Sequence, residues 1–413
     1  MGIATCRFCE TNLEIDMVDL GMHPLCETFL TSDQLDGPES FYPLHVRVCP
    51  NCFLAQIGEY VPPEEIFDDY AYYSSFSSAW LAHARDYVDM MVLRFGLSTK
   101  SRVMEIASND GYLLQYFQER GMEVIGIEPS ANVARAATDK GIPSIVEFFD
   151  ATLARKLSGE GYSADVVVAN NVLAHTPRIN SFVEGIHEVL TDDGVATFEF
   201  PHLLRLIEGN QFDTIYHEHW SYLSLGTTQK IMAAHGLQVF DVEELWTHGG
   251  SLRLFVQPIP HRRPVSDAVS GVLEREREFG LFSPAVYTEF GARVEATKRK
   301  LLTLLIRAKD EGATIAIYGA AGKGNTLLNY CGIGTDFIDF ACDLNPYKHG
   351  RYTPGTHIPI FGPEKIREAK PDYLLLLPWN IKEELMGQLS YISEWGGKFI
   401  VPIPEATILE GVS

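Results

Sequence analysis

The sequence predicts an α/β protein built in three successive parts, and three observations carry that prediction. Two Cys-x-x-Cys pairs lie near the start, Cys6/Cys9 and Cys49/Cys52. From about residue 100 to 256, short apolar runs alternate with helical stretches across small-residue loops. The same rhythm restarts at Thr314. Strands alternating with helices imply parallel sheets covered by helices. The texture places a cysteine-rich module at 1–65, a central α/β unit at 66–256, a helical linker at 257–310 and a second, shorter α/β unit at 311–413.

Composition bounds the function classes. The 413 residues are 46% hydrophobic and 21% charged, which suits sizeable globular cores and excludes a mainly disordered chain. Lys and Arg number 33 against 55 Asp and Glu, a formal charge of −22. Nonspecific nucleic-acid binding needs a broad basic footprint, so no nucleic-acid partner is expected. No run approaches the roughly 20 apolar residues that span a bilayer, so no membrane partner is expected either. Tyr373–Leu377 reads instead as a buried strand closed by Pro378. Seven cysteines in a chain this long predict no disulfide framework. Met1–Glu10 lacks an apolar signal core, and the expected compartment is the reducing cytoplasm.

In the first part, Cys6-Arg7-Phe8-Cys9 and Cys49-Pro50-Asn51-Cys52 form two knuckles. Two residues between thiols let both sulfurs reach one tetrahedral zinc at about 2.3 Å, and four thiolates would close the coordination sphere, so the metal would be structural. A redox dithiol is the alternative, but such motifs are rarely paired. Next, Tyr70-Ala71-Tyr72-Tyr73-Ser74-Ser75-Phe76 reads either as core aromatics or as a lid of phenols and hydroxyls. The spacing of Trp80, Ala84, Tyr87, Met90 and Met91 predicts a helix after it.

The central unit predicts strands at Val103–Ile106, Val124–Glu128, Val166–Ala169 and Val195–Phe198. Glu105-Ile106-Ala107-Ser108-Asn109-Asp110-Gly111 follows the first. An acid at the strand end, a tight loop and a glycine before a helix resemble motif I of S-adenosylmethionine methyltransferases. A generic or NAD-type turn is the alternative, though Gly-x-Gly-x-x-Gly is missing. Glu128, ending the second strand, can accept both hydroxyls of a ribose. Asn170 and His175 follow the third, at the carboxyl edge where open α/β sheets bind ligands. Tyr216-His217-Glu218-His219-Trp220 is the densest titratable cluster. It suits a weak metal pair, a histidine general base oriented by Glu218, or a solvated loop, and spacing does not choose among them. In the last unit, Gly319-Ala320-Ala321-Gly322-Lys323-Gly324 suits a phosphate over a helix N-terminus or a plain helix-opening turn.

Taken in order, the cysteine module, Tyr-x-Tyr-x-Ser-Ser, EIASNDG, NNVLAH, YHEHWSYLS, HGGSLR (His248–Arg253) and YGAAGKGNTLLN (Tyr318–Asn329) span nearly the whole chain. The combination resembles the nucleotide-sugar C-methyltransferases of deoxysugar biosynthesis, which act at C-3′ or C-5′ of keto-sugars. The resemblance implies an N-terminal zinc-binding module, a central Rossmann-like S-adenosylmethionine methyltransferase domain and a C-terminal Rossmann-like α/β domain gripping the nucleotide sugar. It implies S-adenosylmethionine as cofactor, held by Glu105, Ala107, Ser108, Asn109, Gly111, Glu128 and Asn170, and one structural zinc on Cys6, Cys9, Cys49 and Cys52. It makes His219 the base, with Glu218, Tyr216, His175, Tyr70 and Tyr72 positioning the substrate or stabilising an enolate. Lys323, Gly324, Asn329, Arg351 and Trp379 would line the sugar-nucleotide site, with the diphosphate over the helix after Gly322. Two positions depart from the pattern: Ala107 replaces the customary motif I glycine, and His217 adds a second histidine beside the base.

Methylating carbon needs a carbanion equivalent, and a carbon next to a ketone supplies one as an enolate. The expected reaction is therefore S-adenosylmethionine-dependent methylation α to the ketone of a dTDP-linked keto-deoxysugar. Sugar O- or N-methylation, a nicotinamide-dependent sugar oxidoreductase and a zinc-ribbon interaction protein with a degenerate core are the rival readings. The expected partner is a nucleotide-sugar small molecule, and the expected assembly is a monomer or weak dimer.

Overall fold

The computed structural model describes residues 5–67, 73–260 and 263–410. Three sheets organise them. The central sheet has seven strands in the order 237–245, 251–258, 190–201, 164–170, 102–106, 123–127 and 144–145. The last five of these run parallel, and the first two form an antiparallel hairpin on the 190–201 edge. The strands expected from the apolar runs are present as Arg102–Ile106, Glu123–Ile127, Ala164–Asn170 and Leu190–Pro201. Their central residues are sealed from solvent on both faces, which is why they read as continuous apolar runs.

The C-terminal sheet has the order 360–361, 340–342, 315–318, 373–376, 398–401 and 407–410, parallel except for the last pair. In both sheets the chain reverses its direction of winding beside the first strand. The reversal falls between 102–106 and 164–170 in one sheet and between 315–318 and 373–376 in the other. Such switch points leave a crevice at the carboxyl ends of the strands, where ligands bind.

The N-terminal module is a four-stranded antiparallel sheet of Ile15–His23, Tyr42–Val48, Ala55–Gln56 and Ser221–Tyr222. Its fourth strand comes from the segment that carries the histidine cluster: Ala55 pairs with Tyr222 and Gln56 with Ser221. The helical segment before the C-terminal sheet is a packed strut. Pro284 opens the helix Pro284–Asp310, where the missing N–H costs nothing. Tyr287, Phe290, Val294, Thr297, Leu301, Leu305 and Ala308 form one buried stripe at three- and four-residue spacing. That stripe joins strand Ile15–His23, the 203–222 segment and the C-terminal sheet into a single apolar core.

Glu276, fully buried on helix Asp267–Phe279, anchors the chain just beyond the histidine cluster. It accepts the His202 Nε2 proton at 2.7 Å and the backbone N–H groups of Leu225 at 2.5 Å and Gly226 at 2.9 Å, capping helix Leu225–Ala234 from outside. Removing the carboxylate strands three buried donors. Glu276→Ala should therefore cost about 3 kcal/mol of stability or more, at about 1–3 kcal/mol for each buried donor left unsatisfied, read as a lower denaturation midpoint.

Candidate functional site

The four knuckle cysteines converge. Their sulfur atoms all lie within 4.8 Å of one another, with Cys6 to Cys52 at 3.6 Å and Cys9 to Cys49 at 3.4 Å, and none is in a disulfide. Thiolates around a tetrahedral zinc at about 2.3 Å are roughly 3.8 Å apart, so this set fits the ion without rearrangement. Gln56 Nε2 donates to Cys6 Sγ at 3.3 Å, a contact that steadies one ligand from the strand paired with Ser221–Tyr222.

The two switch points face one cavity of about 510 Å³. One wall is the loop after strand Arg102–Ile106. Ala107 and Asn109 both take left-handed backbone there, with φ of 53° and 50°. This is the physical reason a glycine is customary at Ala107, and alanine holds the conformation at a cost of roughly 1–2 kcal/mol. Glu128 closes the loop: its carboxylate accepts Asn109 N–H and Ser130 N–H, each at 2.9 Å. Ala107, Asn109, Glu128 and Asn170 line the cavity, and the buried Asn170 Oδ1 has no partner among the described residues. Acceptors aimed into a crevice at this edge fit the hydroxyl and amine groups of a nucleoside-linked amino acid.

Other members of the loop sit behind it. Glu105 is 1% exposed and its pKa is driven well above the carboxylate range by burial, then by Glu128 and Asp110. It is held as the acid and props the loop from below. Ser108 is sealed in the core, donating its N–H to Ile127 O at 3.2 Å. Gly111 has φ 76° and packs against Ile142 with no space for a side chain. Glu105, Ser108 and Gly111 therefore support the crevice without lining it.

The histidine cluster forms the floor. His219 Nδ1 lies 2.9 Å from Thr214 O. A carbonyl only accepts, so Nδ1 carries the proton and Nε2 keeps its lone pair. The ring sits between Tyr216 (centroids 4.0 Å apart) and His175 (4.6 Å, nearly perpendicular). Burial, then His175, lowers its pKa well below the usual value, while His175 falls to about 4, chiefly from burial. Both are neutral at neutral pH.

Glu218 does not orient His219, because Thr214 does. The partner of Glu218 is the buried Cys26, whose thiol points at Oε1 from 3.7 Å. Burial, then Glu27, pushes Glu218 up to about 8, so at neutral pH it is an acid with a proton to donate. His217 faces away from the cavity, donating from Nε2 to Pro43 O at 3.3 Å beside Tyr42. Tyr70 and Tyr72 lie outside the described residues.

The C-terminal sheet contributes Ala321, Gly322 and Lys323 to the opposite wall. Lys323 stands over the Trp379 ring at 4.5 Å and donates to Asn380 Oδ1. The N-terminus of helix Gly322–Cys331, where a diphosphate was expected, is already occupied by the Glu27 carboxyl. Burial raises the pKa of that group, while Lys348, 3.8 Å from Oε2, and the Gly322 N–H favour its charged form. Of the remaining residues expected at the sugar-nucleotide site, none lines the cavity. Trp379 donates its indole proton to the buried Asp213 at 2.7 Å, and Gly324 packs on Leu377. Asn329 ties to Asn325 O and Pro354 O, and Arg351 donates to Phe29 O at 3.3 Å. These four hold the domain together. The cavity also receives Cys26, Glu27, Trp80 and His248, which sequence reasoning passed over. Only His248 carried a signal, in its His-Gly-Gly run.

Three family models match the chain: a zinc binding domain over residues 6–67, a methyltransferase domain over 80–242, and a C-methyltransferase C-terminal domain over 246–404. The chain is 36% identical over 411 residues to the C-methyltransferase NovU of Streptomyces niveus, covering 100% of this chain and 98% of that one. Among solved structures, PH0226 from Pyrococcus horikoshii OT3 is 16% identical over 47% of this chain and 97% of its own. Magnesium protoporphyrin IX methyltransferase from Synechocystis PCC 6803 is 16% identical over 47% and 88%. Their TM-scores, 0.36 and 0.34, are too low to carry an argument.

Elemental analysis of the purified protein should find one zinc per chain. Cys49→Ser should lower solubility and thermal stability more than it lowers turnover of the molecules that fold. A protein without zinc whose four thiols oxidise in pairs would overturn the metal assignment.

Proposed function

The chain belongs to the C-methyltransferase family with an N-terminal zinc binding domain, and from that premise we propose that it methylates the carbon α to the ketone of a nucleotide-linked keto-deoxysugar. The observation that carries this reading is His219. Its tautomer is fixed by Thr214 O, its Nε2 lone pair has no partner among the described residues, and it lines the cavity walled by the Glu128 loop and by Lys323. A base, a nucleoside crevice and a cation in one pocket suit abstraction of an acidic C–H from a phosphorylated substrate.

Bound S-adenosylmethionine supplies an electrophilic methyl on a sulfonium. Glu128 would accept from its ribose hydroxyls, and Asn170 Oδ1 and the 107–109 loop would hold the rest. His219 Nε2 takes the α-proton of the sugar; the C–H electron pair becomes part of the enolate double bond, and the carbonyl π pair moves to oxygen. Protonated Glu218, together with Tyr216 and His175, donates to the sugar's oxygens. The enolate carbon would then take the methyl: the C–C bond forms as the C–S bond breaks, its electron pair staying on the sulfur of the departing S-adenosylhomocysteine, the ketone returns, and the proton on His219 passes to solvent. Lys323 offsets phosphate charge from the cavity wall, with Glu27 kept on the helix N-terminus. Orientation of the two reactants in the cavity supplies part of the rate enhancement.

Incubation with dTDP-keto-sugars and S-adenosylmethionine tests the reaction: mass spectrometry should show one added methyl, and NMR should place it α to the ketone. A product methylated on oxygen or nitrogen, or none with any keto-sugar, would sink the reading.

Glu128→Ala should weaken S-adenosylhomocysteine binding by about 1.5–3 kcal/mol, the worth of hydrogen bonds to a charged acceptor. Unchanged affinity by calorimetry would remove Glu128 from the cofactor site.

His219→Asn should lower turnover about 100-fold or more, and stop deuterium entering the sugar from D2O in the absence of S-adenosylmethionine. His217→Asn should leave both nearly unchanged. The pH profile follows from the two shifts. Depressed His219 stays a free base below pH 6.5, so activity should persist into mild acid. Glu218 loses its proton as pH rises through about 8, so turnover should fall there, and Glu218→Gln should abolish that alkaline limb. An acid limb at an ordinary histidine pKa in the wild type would contradict the His219 assignment.

A further inference from the structure

The His-Gly-Gly turn is locked in positive-φ backbone by its neighbours. His248, Gly249 and Gly250 run consecutively at φ 52°, 84° and 116°. Left-handed backbone is open to glycine, but a histidine holds it only where the surroundings impose it. Here they do. A side chain at Gly249 would stand 2.8 Å from the Gln211 amide, whose Nε2 also donates to Gly249 O at 2.9 Å. At Gly250 it would meet the Arg205 side chain at 2.7 Å.

The residue before the turn is pinned as firmly. Thr247 Oγ1 donates to Glu199 Oε1 at 3.0 Å. Glu199 is fully buried at the end of strand Leu190–Pro201, and its other oxygen accepts from His83 and Arg253, each at 3.0 Å. From that cluster an aromatic wall runs to the turn. His83 stacks on Trp80 with centroids 5.0 Å apart, and Trp80 meets the His248 ring edge-on at 5.6 Å. The strain and its supports thus serve to fix one imidazole.

That imidazole lines the same cavity as His219 and Lys323. His83, His202, His217 and His219 all have a ring nitrogen tied to a protein oxygen. Among the described residues, neither ring of His175 and His248, the other two histidines of the cavity, has a hydrogen-bond partner, and only His248 sits on a turn in left-handed backbone. His248 is an exposed residue, yet the protein packed around its ring lowers its pKa from the usual value, opposed by Glu199 and reinforced by Lys323 and His83, so at neutral pH the ring presents one N–H and no charge. A neutral imidazole fixed beside a reacting carbonyl is an efficient electrophile, because it gives a hydrogen bond without adding a cation to a crowded site.

We propose that His248 is the donor that receives the substrate's carbonyl oxygen as it turns into an enolate oxyanion. The assignment rests on the enolate reading of the site. As His219 Nε2 takes the α-proton, the carbonyl π pair moves onto oxygen, and that oxygen accepts the His248 N–H. The His248 proton is not transferred, and the bond relaxes when the new C–C bond restores the ketone.

Two variants test this while respecting the turn. His248→Gly suits φ 52° better than histidine does, and His248→Asn is a residue type that tolerates it. Both should bind S-adenosylhomocysteine within about twofold of wild type. Deuterium exchange into a dTDP-4-keto-6-deoxysugar, without S-adenosylmethionine, should fall on the order of 100-fold or more, the range for loss of one oxyanion donor. Added imidazole should restore part of the exchange in the glycine variant, a rescue that a purely structural role would not give. Exchange at the wild-type rate in both variants overturns the proposal. So does a loss of S-adenosylhomocysteine binding in both, which would mark the ring as part of the methyl-donor side. His219→Asn, run in parallel, separates the two readings. If it exchanges like wild type, the enolate mechanism itself fails; if it is blocked while the His248 variants are normal, only the role of His248 fails.

Discussion

The segment from Phe212 to Tyr222 is gripped from three sides at once, and the chemistry of the site depends on that grip. Its far end pairs with strand Ala55–Gln56 of the cysteine module. Its near end is held by the C-terminal domain: the Trp379 indole donates to Asp213, and Thr326 Oγ1 donates to Ile215 O at 3.0 Å. Between them, Thr214 O fixes the His219 tautomer. A base is useful only if its lone pair meets the substrate within a fraction of an ångström. Here no single domain could hold it there. Strand Ala55–Gln56 of the module, Trp379 and helix Gly322–Cys331 each hold the segment, and Asn325 Nδ2 donating to Cys26 O at 2.6 Å ties that helix back to the module.

Burial then sets the protonation states. In a pocket poor in water, charged forms are penalised for acids and bases alike, so carboxylates rise and imidazoles fall. His175 and His219 are thereby neutral together, which two adjacent imidazolium ions could not be. Glu218 remains an acid at neutral pH for the same reason. One physical cause makes the base a free base and its neighbours donors, with no need for a separate partner to tune each residue.

How much of this was legible in the sequence follows from how local each feature is. The central strands were legible because burial on both faces makes them unbroken apolar runs, and the crevice residues Ala107, Asn109, Glu128, Asn170 and His175 were legible because a strand end fixes where the next loop points. The antiparallel hairpin Leu237–Leu245 and Ser251–Pro258 was not, since its outer strand mixes acids with apolar residues. Cys26, Glu27 and His248 reach the cavity only through long-range packing, and no spacing encodes that. Trp379, Asn329 and Arg351 looked like ligand contacts because their residue types suit nucleotides; tertiary neighbours use the same donors as struts. The helix after Gly322 looked like an anion seat for a sound physical reason, and the group that occupies it is the Glu27 carboxyl.

The pairing of Ala55–Gln56 with Ser221–Tyr222 also governs how the protein is made. On a ribosome adding roughly 5–20 residues per second, about 165 residues separate the two strands, so the cysteine module waits some 8–33 s for its last strand. During that time its sheet ends in an open edge, the usual invitation to pair with another nascent chain. The edge is only two residues long, too short to template much, and bound zinc would keep the rest of the module folded while it waits. The brevity of that strand protects the unfinished chain, and its late capture aligns the histidine floor only once the central sheet exists to receive it.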